Sequence, residues 1–250
     1  MKRKLLVFIA IIVIPFVILI LDRYVFNEDI PINASYDNSH AWKQIIKHKN
    51  EYPTSLLKLA NSNKETISFV ANYLEDHNKD FSLDLNEDLK QEGVPLLLQW
   101  DNRWGYKIYG DDMMAINGCG PTCLSMVASY LKQNPQYNPY CIAKIAYKKG
   151  YFTSHGTSWR LMNEGAKLLG LQAKELPLSE SVMIQELQND HPIICSMSKG
   201  TFTTTGHFIV IKNYKDGKFY VNDPNSQERS RDYTYQELSY QIKNLWSYSV

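Results

Sequence analysis

Apolar residues crowd one stretch near the start of the chain, Leu5 to Leu21, a run of seventeen positions that changes character only at Pro15. Seventeen is at the short end for a membrane-spanning helix and slightly long for a cleaved export signal. Tyr24, Val25 and Phe26 extend the run and suit a membrane interface. Small residues suited to cleavage do not follow Leu21; Ala34 is the first weak candidate. The pattern predicts an uncleaved anchor over residues 1–26, with a cleaved signal as the alternative. Lys2, Arg3 and Lys4 precede the run, and the positive-inside rule keeps such a cluster in the cytoplasm, which puts everything after Phe26 outside.

Beyond a polar linker, Asn27 to Asn38, the periodicity becomes helical. Short helical patterns cover Ser39–Lys49 and Thr54–Ala60. A clearer one covers Lys64–His77, where Ile67, Val70, Ala71 and Leu74 recur on one face and Asn63 is placed to cap the start. Linker and helices together make a unit over residues 27–92, a stalk or a packing collar for the domain beyond it. Gly93-Val94-Pro95 marks a boundary. PLLLQW then reads as a short strand, and Cys119–Leu131 as a helix with Leu124, Val127 and Leu131 as its buried stripe. Ser158–Leu169 reads as a second amphipathic helix ended by Gly170, and Ser181–Asn189 as a third, with Pro192 just past its end. PIICSM, GHFIVIKNY and KFYVNDP read as strands. Helices first and antiparallel strands last predict an α+β domain over residues 93–250.

Composition adds limits. The chain has 250 residues, 44% of them apolar, enough for one ordinary core plus an appendage. Net charge is +1, but 27 basic residues less the three at the N-terminus leave 24 against 26 acidic ones. No basic stripe interleaved with aromatics occurs, so nucleic acid is not an expected partner. Four cysteines and six histidines form no Cys-x-x-Cys or His-x-x-x-His pair, and no zinc site is implied.

The candidate chemistry begins at NGCGPTCLSM. Cys119 stands between Gly118 and Gly120 at the first turn of the predicted helix, and Pro121 fits an early helical position. The positive end of a helix dipole favours a thiolate, which is the nucleophilic form. A buried structural cysteine beside a tight turn is the plainer alternative, so a partner base must decide. Of the histidines, His40, His48 and His77 lie in the collar, His155 and His191 in loops, and only His207 opens an apolar strand. With Tyr214-Lys215-Asp216 as the loop of a bulged hairpin, residue 213 pairs with 217, and His207 falls opposite Asp223. One face then holds His207, Ile209, Ile211, Phe219, Val221 and Asp223. An aspartate so placed orients the imidazole and stabilises its charged form. Trp100, Trp104, Tyr106, Trp159 and Phe202 are candidate groove residues or, more plainly, core. Thr201–Gly206 reads as a loop leading into His207.

GCGPT, GHFIV and VNDP, in that order, resemble the bacterial relatives of the bacteriocin-processing, double-glycine leader peptidases, which are papain-like cysteine peptidases. QWDNRWGYKIYG and the helical region from YPTSLLKLA onward resemble an extracytoplasmic, stand-alone branch of that group, so the resemblance spans roughly residues 50–250. It implies a papain-like α+β fold with Cys119 as nucleophile, His207 as base and Asp223 as orienter. It also implies Gln99 as an oxyanion-binding residue, although twenty residues separate it from Cys119, more than in the transporter-linked relatives. No nucleotide-binding G-x-x-x-x-G-K loop occurs, so no nucleotide is expected and the leader specificity of the exporters does not carry over.

The expectation is a membrane-anchored, outward-facing thiol peptidase that needs neither metal nor organic cofactor and acts on a peptide or protein. An amidase or transpeptidase acting on cell-wall peptides, and a non-catalytic surface binding module on the same fold, are the competing expectations.

Overall fold

The computed structural model describes residues 39–154 and 156–250. The anchor and linker expected over residues 1–38, and His155, lie outside the described residues. Among the described residues no helix is long and apolar enough to cross a membrane.

Apolar residues recur through the C-terminal half on both faces of one antiparallel sheet. Its strands are β1 (Gln172–Glu175), β2 (Ile193–Met197), β3 (His207–Lys215), β4 (Lys218–Asn222), β5 (Asp232–Tyr233) and β6 (Ile242–Ser249), in the spatial order β1-β6-β2-β3-β4-β5. Every residue of β2 is buried, because both faces of the sheet are covered. On one face Ile194, Phe208, Val210 and Trp246 share a core with helix α3 (Cys119–Lys132), which in turn packs against α4 (Pro139–Lys148). On the other, Ile193, Cys195, Ile209 and Ile211 pack against Met183 and Leu187 of α5 (Glu180–Gln188). The α+β class with an antiparallel sheet is therefore as expected.

Helix α3 departs from the one-sided stripe. Gly120 to Ser129 are all buried, while Leu131 is only partly so. The helix is sealed by the sheet on one side and by α4 on the other. Helix α4 and strands β1 and β6 were not anticipated, yet α4 carries clear start signals: the Asn138 side chain accepts from Cys141 N–H at 2.8 Å, and Pro139 follows the cap. The predicted helix Ser158–Leu169 is present over residues 160–168, with a π-helical turn, Leu161–Gly165, running into Ala166–Leu168, and Gly170 ends it with φ 75°.

PLLLQW is not a strand. Its backbone is held by groups outside any ladder. The Asn222 side chain donates to the carbonyls of Val94 (3.1 Å) and Pro95 (3.0 Å), and Gln99 N–H donates to Pro224 O at 2.7 Å. This tethers the segment to the end of β4.

The helical region contains α1 (His40–Lys47) and α2 (Thr54–Ser62), then short turns over Lys64–Thr66, Ile67–Ala71 and Tyr73–Asp76. Asn63 caps the first of these turns, accepting from Glu65 N–H at 3.0 Å. The region packs onto the segment that follows Gly93. Phe69 stacks on Tyr106 with ring centroids 4.3 Å apart, and the Tyr106 hydroxyl donates to Phe69 O at 2.6 Å. Arg103 grips both oxygens of Asp88, at 2.7 and 3.0 Å, and also pairs with Asp101. Burial would lower the Arg103 pKa, but the two carboxylates outweigh it and raise the value.

The β3–β4 hairpin corrects the expected register. Its turn is the two-residue Asp216-Gly217, both at positive φ (53° and 78°), which pairs Lys215 with Lys218 and Tyr214 with Phe219. A bulge between Ile211 and Asn213 then moves the register so that Ile211 meets Val221 and Val210 meets Asn222. Continuing one step sets Ile209, not His207, opposite Asp223. The bulge restores the alternation, so Ile209, Ile211, Phe219 and Val221 still share one apolar cluster, as predicted.

A side chain at Gly217 meets no neighbour but must adopt φ 78°. Gly217→Val is therefore expected to lower the unfolding free energy by about 1–2 kcal/mol, read from urea denaturation midpoints, through backbone strain alone.

Candidate functional site

The site is assembled where α3 starts and β3 starts. Gly118 closes the short helix Met114–Asn117 and stands as the cap residue of α3, whose first residue is Cys119. Cys119 is partly exposed and its thiol is free, as are those of Cys123, Cys141 and Cys195. It is the accessible N-terminal end of a helix whose middle, Gly120 to Ser129, is buried. Gly120 permits the wall beside it: a Cβ at that position would fall 2.7 Å from Thr157 Cγ2, closer than any side chain tolerates. The Thr157 hydroxyl in turn lies 2.9 Å from the Tyr109 hydroxyl. The small residue thus admits a wall of the chain's own making.

His207 is the first residue of β3 and Asp223 directly follows β4. The loss of direct opposition does not separate them, because a diagonal neighbour on one face is within reach of side chains this long. His207 Nε2 lies 2.7 Å from Asp223 Oδ1, with His207 buried and Asp223 fully so. With Nε2 engaged, Nδ1 is the ring nitrogen left for Cys119, which lies near enough to help raise the pKa of the ring. The structure therefore brings together three residues that lie far apart along the chain.

The carboxylate has further holders. Asn225 N–H donates to Oδ1 at 2.8 Å and Arg229 Nε donates to Oδ2 at 2.6 Å. Asp223 N–H donates to Ser230 Oγ at 2.9 Å. Arg229 was not anticipated; it lies in the polar run SQERS, where no periodicity or motif marks one residue above its neighbours.

These contacts fix the charge states. Burial alone pushes an imidazole toward neutrality, but the charge and hydrogen bond of Asp223, then the contributions of Cys119, outweigh it and carry His207 up to about 10. Burial likewise raises a carboxylic acid, but His207 and Arg229 hold Asp223 below the ordinary carboxylate range. The pair is an imidazolium bound to a carboxylate. Cys123 and Cys195 are fully buried, and burial pushes both thiols well up, so neither competes as a thiolate.

Gln99 is buried beside the residues leading into α3. Its Nε2 donates to Ala115 O at 2.7 Å and approaches Ile116 O only weakly, at 3.4 Å, while its Oε1 has no partner. One amide hydrogen is thus committed to the backbone and the second is held loosely. Of the five candidate groove aromatics, Trp104, Tyr106 and Phe202 are core. Trp100 is half-buried and donates to Asn225 O at 3.1 Å. Trp159 alone of the five is strongly exposed, and its indole N–H donates to Ser196 Oγ at 3.0 Å.

The sequence model of the Peptidase_C39 like family matches residues 91–249, the sheet, α3 and every residue of the site. The chain belongs to that family. It is accordingly a cysteine peptidase by class, and the C39-like domain has the papain-like α+β fold. The peptidase domain of Streptococcus ComA, a bi-functional ABC transporter involved in quorum sensing, is 18% identical over 53% of this chain and 91% of its own, with a TM-score of 0.44. A C39-like peptidase from Bacillus anthracis is 15% identical over 63% and 94%, with a TM-score of 0.43. A double glycine motif protease from an AMS/PCAT transporter, solved with the leader peptide, is 19% identical over 56% and 89%, with a TM-score of 0.36. No curated protein matches.

A histidine whose pKa is raised on folding adds stability that is complete below its unfolded value, about 6.5, and lost as pH rises through the folded value, about 10. Asp223, held low, adds stability that is lost only as pH falls through its depressed value. Urea midpoints of the C39-like protein should therefore fall between about pH 6.5 and pH 10, and Asp223→Asn should flatten that fall.

Proposed function

We propose that the chain hydrolyses peptide bonds outside the cytoplasmic membrane through Cys119, His207 and Asp223. The observation that carries this reading is a free thiol at the exposed start of α3, set against an imidazole whose other nitrogen is bound to a buried carboxylate. In the attacking state the proton of the Cys119 thiol rests on His207 Nδ1, which makes the ring an imidazolium bound through Nε2–H to Asp223. The sulfur then attacks the carbonyl carbon of the peptide, and the bond order of the carbonyl passes to its oxygen as charge. The imidazolium protonates the leaving amine as the C–N bond breaks, which leaves a thioester on Cys119. Water, deprotonated by the same ring, attacks the thioester; the C–S bond breaks, the peptide acid departs and the thiol is restored. Asp223 holds the ring in the tautomer with Nε2–H and stabilises its cation throughout.

Gln99 serves the oxyanion with the N–H of Cys119. Its support is position: its backbone is bound to Pro224, beside Asp223, and its amide lies against the carbonyls that lead into α3. The substrate is a peptide or an unfolded segment of a protein. The anchor reading rests on the apolar run Leu5–Leu21 behind Lys2, Arg3 and Lys4, which orients the domain outward.

Iodoacetamide at pH 7 should alkylate Cys119 in the full chain, with the adduct located by peptide mass mapping. Cys119→Ala should abolish that adduct, and His207→Ala should slow its formation roughly tenfold or more. Equal rates at Cys119 with and without His207 would overturn the assignment. A membrane-impermeant maleimide should reach Cys119 in intact cells; labelling only after lysis would remove the outward orientation.

A further inference from the structure

The helical collar meets the loop of residues 223–230, which begins with the carboxylate that binds His207. A loop leaving a sheet is ordinarily the most mobile part of a domain. This one is held from outside. The carboxylate of Glu65, from the turn Lys64–Thr66, accepts the Ser226 hydroxyl on Oε1 and Gln227 N–H on Oε2 at 2.7 Å, with Glu228 N–H at 3.4 Å. Asn63, which caps the same turn, donates to Asn225 O at 2.7 Å. Lys64 and Glu228 form an exposed ion pair at 3.3 Å, which contributes little.

The loop relays this grip to the imidazole. Ser226 Oγ, bound to Glu65, accepts Arg229 N–H at 3.0 Å. The Arg229 guanidinium holds Asp223 Oδ2 and Asn225 N–H holds Asp223 Oδ1, the oxygen bound to His207. Each loop donor to the carboxylate is therefore tied to the collar through its backbone, Asn225 directly by Asn63 and Arg229 through Ser226. A half-buried acid that binds a hydroxyl and peptide N–H groups makes charge-assisted bonds that fix backbone geometry.

We propose that Glu65 is a positioning residue of the catalytic centre, setting the loop 223–230 so that Asp223 meets His207. Glu65 makes no polar contact of its own with Cys119 or His207 among the bonds described, so it acts through Ser226, Arg229 and Asp223. The collar then completes the site. This rests on the reading of Cys119, His207 and Asp223 as the catalytic groups.

The test uses the full chain and the variants Glu65→Gln, Ser226→Ala and the double variant. Three quantities are measured: the iodoacetamide alkylation rate of Cys119 at pH 7, the titration of the His207 ring nitrogens by 15N NMR, and the thermal midpoint. The charged groups acting on that ring are Cys119 and Asp223, with Arg229 behind the carboxylate. Each single variant should slow alkylation roughly five- to tenfold and lower the pH at which His207 titrates, and the double variant should be no slower than the worse single one, because both break one link. Unchanged alkylation and titration beside a lowered thermal midpoint would overturn the proposal and leave Glu65 a packing residue. If Glu65→Gln does not fold, Ser226→Ala, the loss of one oxygen, decides alone. An alkylation rate in the parent that ignores His207 would instead sink the catalytic reading itself, which keeps the two failures distinct.

Discussion

A single buried carboxylate sets the arrangement of everything around it. Asp223 is fully removed from water, and an ionised acid there is tolerated only when its lone pairs are filled. They are filled by an imidazole, a guanidinium and a backbone N–H drawn from a strand and a loop. Taking one partner away would leave an uncompensated charge in the interior. This one requirement draws the start of β3, the end of β4 and the loop after it into one place.

The thiol is governed by a different constraint. Helix α3 is enclosed from Gly120 to Ser129, so its N-terminal end opens at Cys119. Close packing against the sheet and α4 fixes where that end lies, and the Gly120 contact with Thr157 fixes how near the wall can come. Rigidity is thus supplied from the core, and accessibility is confined to one turn.

Much of this was legible in the residues themselves. Gly-Cys-Gly-Pro at the onset of a periodic apolar run marks a helix start, and an apolar run opening with histidine marks a strand start. The pairing of His207 with Asp223 emerged from a hairpin register that was wrong in two ways. The turn has two residues and not three, and a bulge lies near Lys212. The two departures compensate in parity, so the apolar face was assigned correctly and the carboxylate became a diagonal neighbour. Strand β6 escaped notice because both its faces are covered, so Leu245, Trp246, Ser247 and Tyr248 are all buried and period-two alternation is lost. Arg229 escaped because loops have no period, and Glu65 because a polar position in a helical pattern names no partner; only the fold shows which polar residue meets which. Gln99 was found by motif, and the structure adds that one of its amide hydrogens is committed to Ala115.

The position of β6 has a consequence for synthesis. It lies between β1 and β2, and β1 has no other ladder partner in the sheet, although β6 is the last of the six strands in the chain. A nascent polypeptide that has emerged only as far as β5 holds the thiol, the imidazole and the carboxylate, yet its sheet is still in two pieces. Emergence of residues 242–249 from the ribosome lets the gap close. The order of translation thereby keeps the scaffold open until every part of the centre has been made.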